Sequence, residues 1–149
     1  MTLRLKEREL VAVGASVAAG CKPCTDYHLK AAREAKLSDD ETHQAINGAI
    51  SVRQNASGVM KAYALQRPGE VVDAPGDTDS ESTRIKQLVA IAAAFAVNCT
   101  INLERHLAAA KVFGIADDEI GEVTKLARFI KAKAASHVEN MVAGEEHED

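Results

Sequence analysis

The chain has 149 residues, enough for one compact domain or two small fused ones, and chains of this size bury roughly 68–70% of their unfolded surface. Hydrophobic residues make up 46% of it but aromatic residues only 3%, and tryptophan is absent, so the core suits closely packed helices better than strands. The formal net charge of -4, with both signs mixed along the chain, excludes the basic face that a nucleic-acid-binding protein needs.

The first half of the chain is predicted to form three helices. Apolar residues at helical spacing predict a helix over 3–19, and Gly20 lets the chain turn after it. A second helix is predicted over about 22–36. A capping box that spans 38–41 begins a third helix, which runs to about Gln66. Two glycines weaken this third helix and allow a kink or break: Gly48 and Gly58.

The second half is also predicted to be helical, which makes the fold class all-α. Proline, glycine, acidic and hydroxyl residues predict a linker at 67–80. Helices over about 80–97, 100–113 and 117–140 follow. Residues 144–149 are predicted to be a frayed acidic tail.

Two copies of one pattern lie on either side of the linker, 78 positions apart. Matched pairs include Leu10 with Leu88, Cys21 with Cys99, His28 with His106 and Asp39 with Asp117. The match runs through a helix, a turn and the next helix without a gap. We therefore predict two fused repeats, over 1–66 and 81–143, that pack about a pseudo-twofold axis.

The two copies differ where chemistry is expected. Cys24 falls on Asn102, and Glu9 falls on Gln87. The second repeat, over 81–143, is therefore degenerate, because it keeps a cysteine and a histidine but cannot form a Cys-x-x-Cys disulfide.

The close pair Cys21 and Cys24 is the strongest chemical feature of the sequence. A charged N-terminus and the lack of a long uncharged stretch predict a cytoplasmic protein without a membrane span, and structural disulfides are rare in that compartment. Cysteines three apart on a helix have Cα atoms about 5 Å apart, which a disulfide accepts. The helix N-terminus and Lys22 should lower the pKa of at least one thiol. The pair is therefore interpreted as redox-active.

His28 lies one helical turn beyond Cys24 and on the same face, where its imidazole can exchange a proton with that thiol. This spacing favours Cys24 as the thiol coupled to the histidine. Thioredoxin-like sites argue for Cys21, because the first cysteine attacks there. The residues alone leave the order of attack open.

Simpler interpretations compete with the redox site. Cys-x-x-Cys with a histidine and Glu9 could hold zinc, but structural zinc sites bring a second Cys or His pair, and none is offered here. The cysteines could also be inert core residues, and Glu9 could lie on an exposed helix face. Cys99 and His106 are interpreted as a small core residue and a histidine with a hydrogen-bond partner. Three further histidines are expected on the surface or in packing contacts: His43, His137 and His147.

The spacing of Glu9, Cys21-Lys22-Pro23-Cys24 and His28, followed by the helix start at 37–41, resembles the AhpD-like proteins of the carboxymuconolactone decarboxylase family. The resemblance covers about residues 5–46 strongly and 83–124 more weakly. It implies an AhpD-like all-helical fold and a thiol-dependent alkyl hydroperoxidase or disulfide oxidoreductase activity of the peroxiredoxin type, with no cofactor and no metal.

The resemblance also implies roles for the site residues. Cys24 would be oxidised by a hydroperoxide to a sulfenic acid, and Cys21 would resolve it to a disulfide. Glu9 and His28 would form the proton relay, directly or through a water. The resemblance further implies that the chain forms a homotrimer. It also implies a dithiol reductant protein of the lipoyl type as a partner. Pro23 is a departure, because some AhpD proteins carry a histidine there.

Three hypotheses for function follow. The first is a peroxidase or disulfide oxidoreductase, in which the sulfenic acid condenses with the neighbouring thiol before further oxidation. The second is a lyase of the decarboxylase branch, which would leave the dithiol unexplained. The third is a non-enzymatic dithiol redox sensor on the same scaffold.

Overall fold

The computed structural model describes residues 3–67 and 80–144, and within those ranges the chain forms six helices and no strand. The first repeat contains α1 (Leu5–Ala19), α2 (Lys22–Glu34) and α3 (Asp39–Ala64), and the second contains α4 (Ser80–Ala96), α5 (Thr100–Val112) and α6 (Asp117–Ala143). The all-α prediction is confirmed. Residues 68–79 of the predicted linker and 145–149 of the predicted tail lie outside the described residues.

Local capping groups set the helix ends in the first repeat. Gly20 ends α1 with a φ of 71°, and Ser38 begins α3. The Ser38 hydroxyl accepts from the Glu41 amide at 3.1 Å, and the Glu41 carboxylate accepts from the Ser38 amide at 3.0 Å. The break allowed by Gly48 and Gly58 does not occur, and α3 runs as one helix through both. The low helix propensity of glycine costs about 1 kcal/mol at each of these two positions, and burial of an apolar stripe on the same helix offsets that cost. That stripe consists of Ala45, Ala49, Val52, Ala56, Val59 and Ala62.

The two repeats pack around α1 and α4, which lie against each other at the centre. Each of these helices also contacts the second and third helices of its own repeat and the third helix of the other repeat. The second helix of each repeat in turn meets the third helix of the other one. Exchanging the repeats therefore reproduces the same set of contacts, which confirms two fused repeats and gives the arrangement its pseudo-twofold character.

Small side chains let the two central helices approach closely. Both are buried nearly all round, as expected for a helix that other helices surround. A methyl group built onto Gly14 of α1 would lie 2.7 Å from Cγ1 of Val89 on α4. No helix in the described ranges, including these two, is long and apolar enough to cross a membrane.

A buried ionic cluster joins the repeats at the start of α1. Arg84 Nε donates to Glu7 at 2.8 Å, and Arg84 Nη2 donates to Glu119 at 2.6 Å. Both carboxylate residues are only 2% exposed. Burial raises the pKa of Glu7, but hydrogen bonds from Arg84 and Arg4 outweigh it and lower that pKa to about 2. The hydrogen bond from Arg84 likewise lowers the pKa of Glu119.

Candidate functional site

The dithiol lies at the N-terminus of α2. Cys21 is the residue that caps this helix, and its sulfur accepts a hydrogen bond from the Cys24 amide at 3.2 Å. The two Cα atoms are 5.3 Å apart, and the two sulfurs lie within disulfide-bonding distance. Pro23 fits the first turn because it has no amide hydrogen to leave unpaired. Both cysteines are buried, and the free amides of the helix end favour a thiolate on either sulfur after reduction.

Glu9 and His28 approach each other between α1 and α2. Glu9 projects from α1 and His28 from α2, and His28 Nδ1 lies 3.9 Å from Glu9 Oε2. Their side chains are only 20% and 15% exposed, and neither of the two atoms has a hydrogen-bond partner among the described residues. Glu9 therefore does not lie on an exposed helix face. The separation is too long for a direct hydrogen bond but close enough for an electrostatic interaction.

Burial lowers the pKa of His28, and the neighbouring Glu9 carboxylate partly offsets that effect. The imidazole is therefore mostly neutral at neutral pH and can accept a proton. His28 follows Cys24 by one turn of α2, which places the two side chains on one face. The structure thus brings Cys21 to Cys24 and Glu9 to His28, and α2 carries Cys24 and His28 and is capped by Cys21.

The second repeat contains a neutral version of the same arrangement. Cys99 caps α5, and Asn102 Nδ2 donates to its sulfur at 3.1 Å and to Asn55 at 3.0 Å. His106 Nδ1 and Gln87 Oε1 are 2.8 Å apart, a direct hydrogen bond in place of the wider Glu9–His28 gap. Cys99 is buried and His106 has its partner, as their structural interpretation predicts.

A cavity of about 500 Å³ opens beside the dithiol. Cys21 and its neighbours in the turn after α1 form one wall, and α6 forms the other with Lys131, His137 and Val138. The Lys131 ammonium is held by the side chain of Asn98 and the backbone carbonyl of Phe95. An equivalent cavity of about 370 Å³ lies beside Cys99 in the second repeat.

His137 is a residue that the sequence does not connect with the dithiol. It was expected on the surface or in a packing contact, and in the structure it is partly exposed on α6, with a ligand nitrogen of its ring and the sulfurs of Cys21 and Cys24 all within 4.8 Å of one another. Local spacing could not reveal this, because His137 is on α6 of the other repeat. The shift of 78 positions could have drawn attention to it, since it places Val59 at the equivalent position.

Comparison with known proteins gives one match. The model of the carboxymuconolactone decarboxylase family matches this chain twice, over residues 2–65 and 78–140. The two matched segments correspond to the two structural repeats. No curated protein and no solved structure matches the chain.

Proposed function

Because the chain belongs to the carboxymuconolactone decarboxylase family, we propose that it is an AhpD-like thiol peroxidase that reduces alkyl hydroperoxides with Cys21 and Cys24. The observation that carries this proposal is the largely buried Glu9–His28 pair, whose histidine follows Cys24 by one turn of α2. The repeat with two thiols also has the carboxylate and imidazole, whereas the repeat with one thiol has an amide in place of the carboxylate.

In the first step, neutral His28 takes the proton of the Cys24 thiol, and Glu9 stabilises the resulting imidazolium. The Cys24 thiolate attacks the terminal peroxide oxygen, so that the O–O bond breaks and Cys24 becomes a sulfenic acid. The alkoxide leaving group takes the proton back from His28 and departs as an alcohol. The sulfur is oxidised by two electrons and the peroxide is reduced by two.

In the second step, the Cys21 sulfur attacks the sulfenic acid on Cys24, which forms the disulfide and releases water. The Cα separation of 5.3 Å suits this bond, so no large backbone movement is required. Because Cys21 lines the cavity, it is also the sulfur of the disulfide that a reductant can reach.

In the third step, a dithiol reductant of the lipoyl type enters the cavity and attacks Cys21, so that Cys24 leaves as a thiolate next to His28. The second thiol of the reductant then releases it from Cys21 as a cyclic disulfide. The proposed setting is the cytoplasm, where such dithiols are kept reduced. The homotrimer implied by the resemblance stays a prediction.

The experiment mixes the reduced protein with a small excess of cumene hydroperoxide and follows peroxide and free thiols together. The chain has three cysteines, and we expect two thiols to be lost for each peroxide consumed. Cys24→Ser should consume none, whereas Cys21→Ser should consume one equivalent and stop at the sulfenic acid. His28→Ala should react slowly to the same endpoint.

Cys99→Ser is the matched control and should behave as wild type, because Cys99 has no second thiol beside it. The proposal fails if wild-type protein leaves the peroxide untouched with all thiols free. Turnover on addition of dihydrolipoamide distinguishes an enzyme from a sensor that reacts only once.

A further inference from the structure

The Cys21–Cys24–His137 group is an arrangement that the proposed peroxide chemistry does not use. In that chemistry His28 moves the proton, while His137 approaches the same two sulfurs from α6 on the opposite repeat. The ligand atoms of the three residues lie within 4.8 Å of one another. His28 is not part of this group. Two histidines from different helices are therefore associated with the dithiol: His28 of α2 and His137 of α6.

Two thiolates and one imidazole form a ligand set that Zn²⁺ prefers. Zinc binds sulfur at about 2.3 Å and imidazole nitrogen at about 2.0–2.1 Å, so tetrahedral ligand atoms are separated by about 3.3–3.8 Å. The ligand atoms of Cys21, Cys24 and His137 are at most 4.8 Å apart, so they need to close by at most about 1 Å to bind zinc. Rotation of the partly exposed His137 side chain can provide that movement. Opening the disulfide moves the sulfurs apart toward the same spacing.

The equivalent site around Cys99 supports a common role for Cys21, Cys24 and His137. At the equivalent positions the second site has Cys99 and Asn102 from the second repeat and Val59 from α3 of the first, so two of the three ligands are absent together. Val59 is buried and cannot bind a metal. The histidine on the third helix thus occurs only opposite the helix end that carries two thiols.

We propose that the reduced protein binds one Zn²⁺ through Cys21, Cys24 and His137, with a water from the adjoining cavity as the fourth ligand. Binding releases the two thiol protons, and the thiolates with the Zn²⁺ form a centre without net charge. Neither Lys22 nor Lys131, which also line the cavity, then repels it. Because a disulfide offers no thiolate, the site exists only in the reduced protein.

This inference adds a second function to the dithiol and does not depend on peroxide turnover. Zinc occupies both sulfurs, so bound metal would protect the dithiol from hydroperoxide and keep it inactive. In the zinc-free protein, oxidation by a hydroperoxide to the disulfide would in turn remove the thiolates that the metal needs.

The test uses the full chain, reduced and freed of reductant under nitrogen, and titrates it with Zn²⁺ against a competing chromophoric chelator. We expect one zinc per chain in the reduced protein and none in the disulfide form. His137→Ala, and His137→Gln, which keeps more of the side-chain volume, should both weaken zinc binding at least about tenfold. Tenfold is the lower end of the loss in affinity when a metal ligand loses even its outer hydrogen-bond partner. His28→Ala is the matched control and should bind zinc as wild type does.

Circular dichroism and thermal melting of each variant separate loss of a ligand from loss of the fold. Co²⁺ added in place of Zn²⁺ should give sulfur-to-metal charge-transfer bands in wild type and His28→Ala, with altered d–d bands in His137→Ala. The proposal is overturned if the reduced protein holds no stoichiometric zinc, if the disulfide form binds equally, or if both His137 variants keep wild-type affinity. These readouts contain no peroxide, so their failure is distinct from failure of the peroxidase proposal.

Discussion

The two repeats use the same helix, turn and helix to present different chemistry. In the first, two thiols lie at the start of α2, and farther along that helix His28 lies 3.9 Å from the Glu9 carboxylate of α1. In the second, amides replace the carboxylate and one thiol, and Gln87 and His106 are in direct contact at 2.8 Å. The backbone arrangement has been kept while the reactive groups have not. A few side chains, and not the fold, therefore distinguish the two candidate sites.

The largest expected effect comes from Cys24→Asn, which converts the first site to the pattern of the second. Peroxide consumption should fall to the uncatalysed level, because the nucleophile is removed. The fold should survive, since Asn102 is accommodated at the equivalent position with a hydrogen bond to the Cys99 sulfur. Peroxide assays and thermal melting measure the two effects separately, and residual activity would mean that Cys21 or Cys99 can attack peroxide.

The next largest effect is on stability, at the cluster that ties the repeats together. Arg84→Met leaves the buried carboxylate of Glu119 without the Arg84 cation, and that of Glu7 with only the largely exposed Arg4. Removing one partner from a buried pair costs about 3–5 kcal/mol, and the partial exposure of Arg84 reduces this to about 2–3 kcal/mol. Urea denaturation at neutral pH measures the loss, and Arg84→Lys, which copies Lys6 of the first repeat, should lose less.

The same variant has a pH signature with a definite sign. The pKa of Glu7 is lowered from 4.5 to about 2 in the folded protein, so its contribution is present above about pH 4.5 and is lost as the pH falls toward 2. The difference in stability between wild type and Arg84→Met should therefore shrink over that interval. A difference that stays constant down to pH 2 would contradict the role assigned to Arg84.

A smaller effect is expected from Glu9→Gln, which copies Gln87 into the first site. Loss of one member of a proton relay should slow the reaction with peroxide about ten- to hundredfold. Because the Glu9 carboxylate raises the pKa of His28, its removal should lower that pKa further. The rate depends on neutral His28, so the rise of kcat/KM with pH should move to lower pH. An unchanged pH profile would remove Glu9 from the relay.

The smallest expected effect concerns the centre of the fold. Gly14→Ala copies Ala92 of the second repeat, but its methyl group would lie 2.7 Å from the stiff side chain of Val89. Overpacking of this kind should cost about 1–2 kcal/mol in unfolding free energy. Gly121→Ala serves as the control, because no atom lies within 4 Å of the methyl group it would add. Equal melting temperatures for the two variants would contradict the close approach.

Much of the fold could be predicted because its signals are local. Ser38 and Glu41 mark a helix start through their own side chains, and the shift of 78 positions shows the repeats without any structure. The chemistry at Cys21 and Cys24 is local too, since both lie in one helical turn. The unbroken α3 shows the limit of such reasoning, because tertiary burial outweighs the low helix propensity of Gly48 and Gly58.

The remainder depends on contacts between the repeats. Glu7 and Glu9 stand two positions apart in one charged run, yet Glu7 is fully buried against Arg84 while Glu9 approaches His28. No local pattern separates these two environments. His137 was missed for the same reason, because its neighbours at the dithiol are more than a hundred positions away in sequence.

The central claim is that peroxide chemistry belongs to the first repeat alone. Its most direct test treats the reduced protein with one equivalent of cumene hydroperoxide, blocks the remaining thiols and maps every cysteine by peptide mass spectrometry. We expect a Cys21–Cys24 disulfide in most chains and an alkylated Cys99 in all of them. Oxidised Cys99, or Cys21 and Cys24 both alkylated after the peroxide has been consumed, would contradict it.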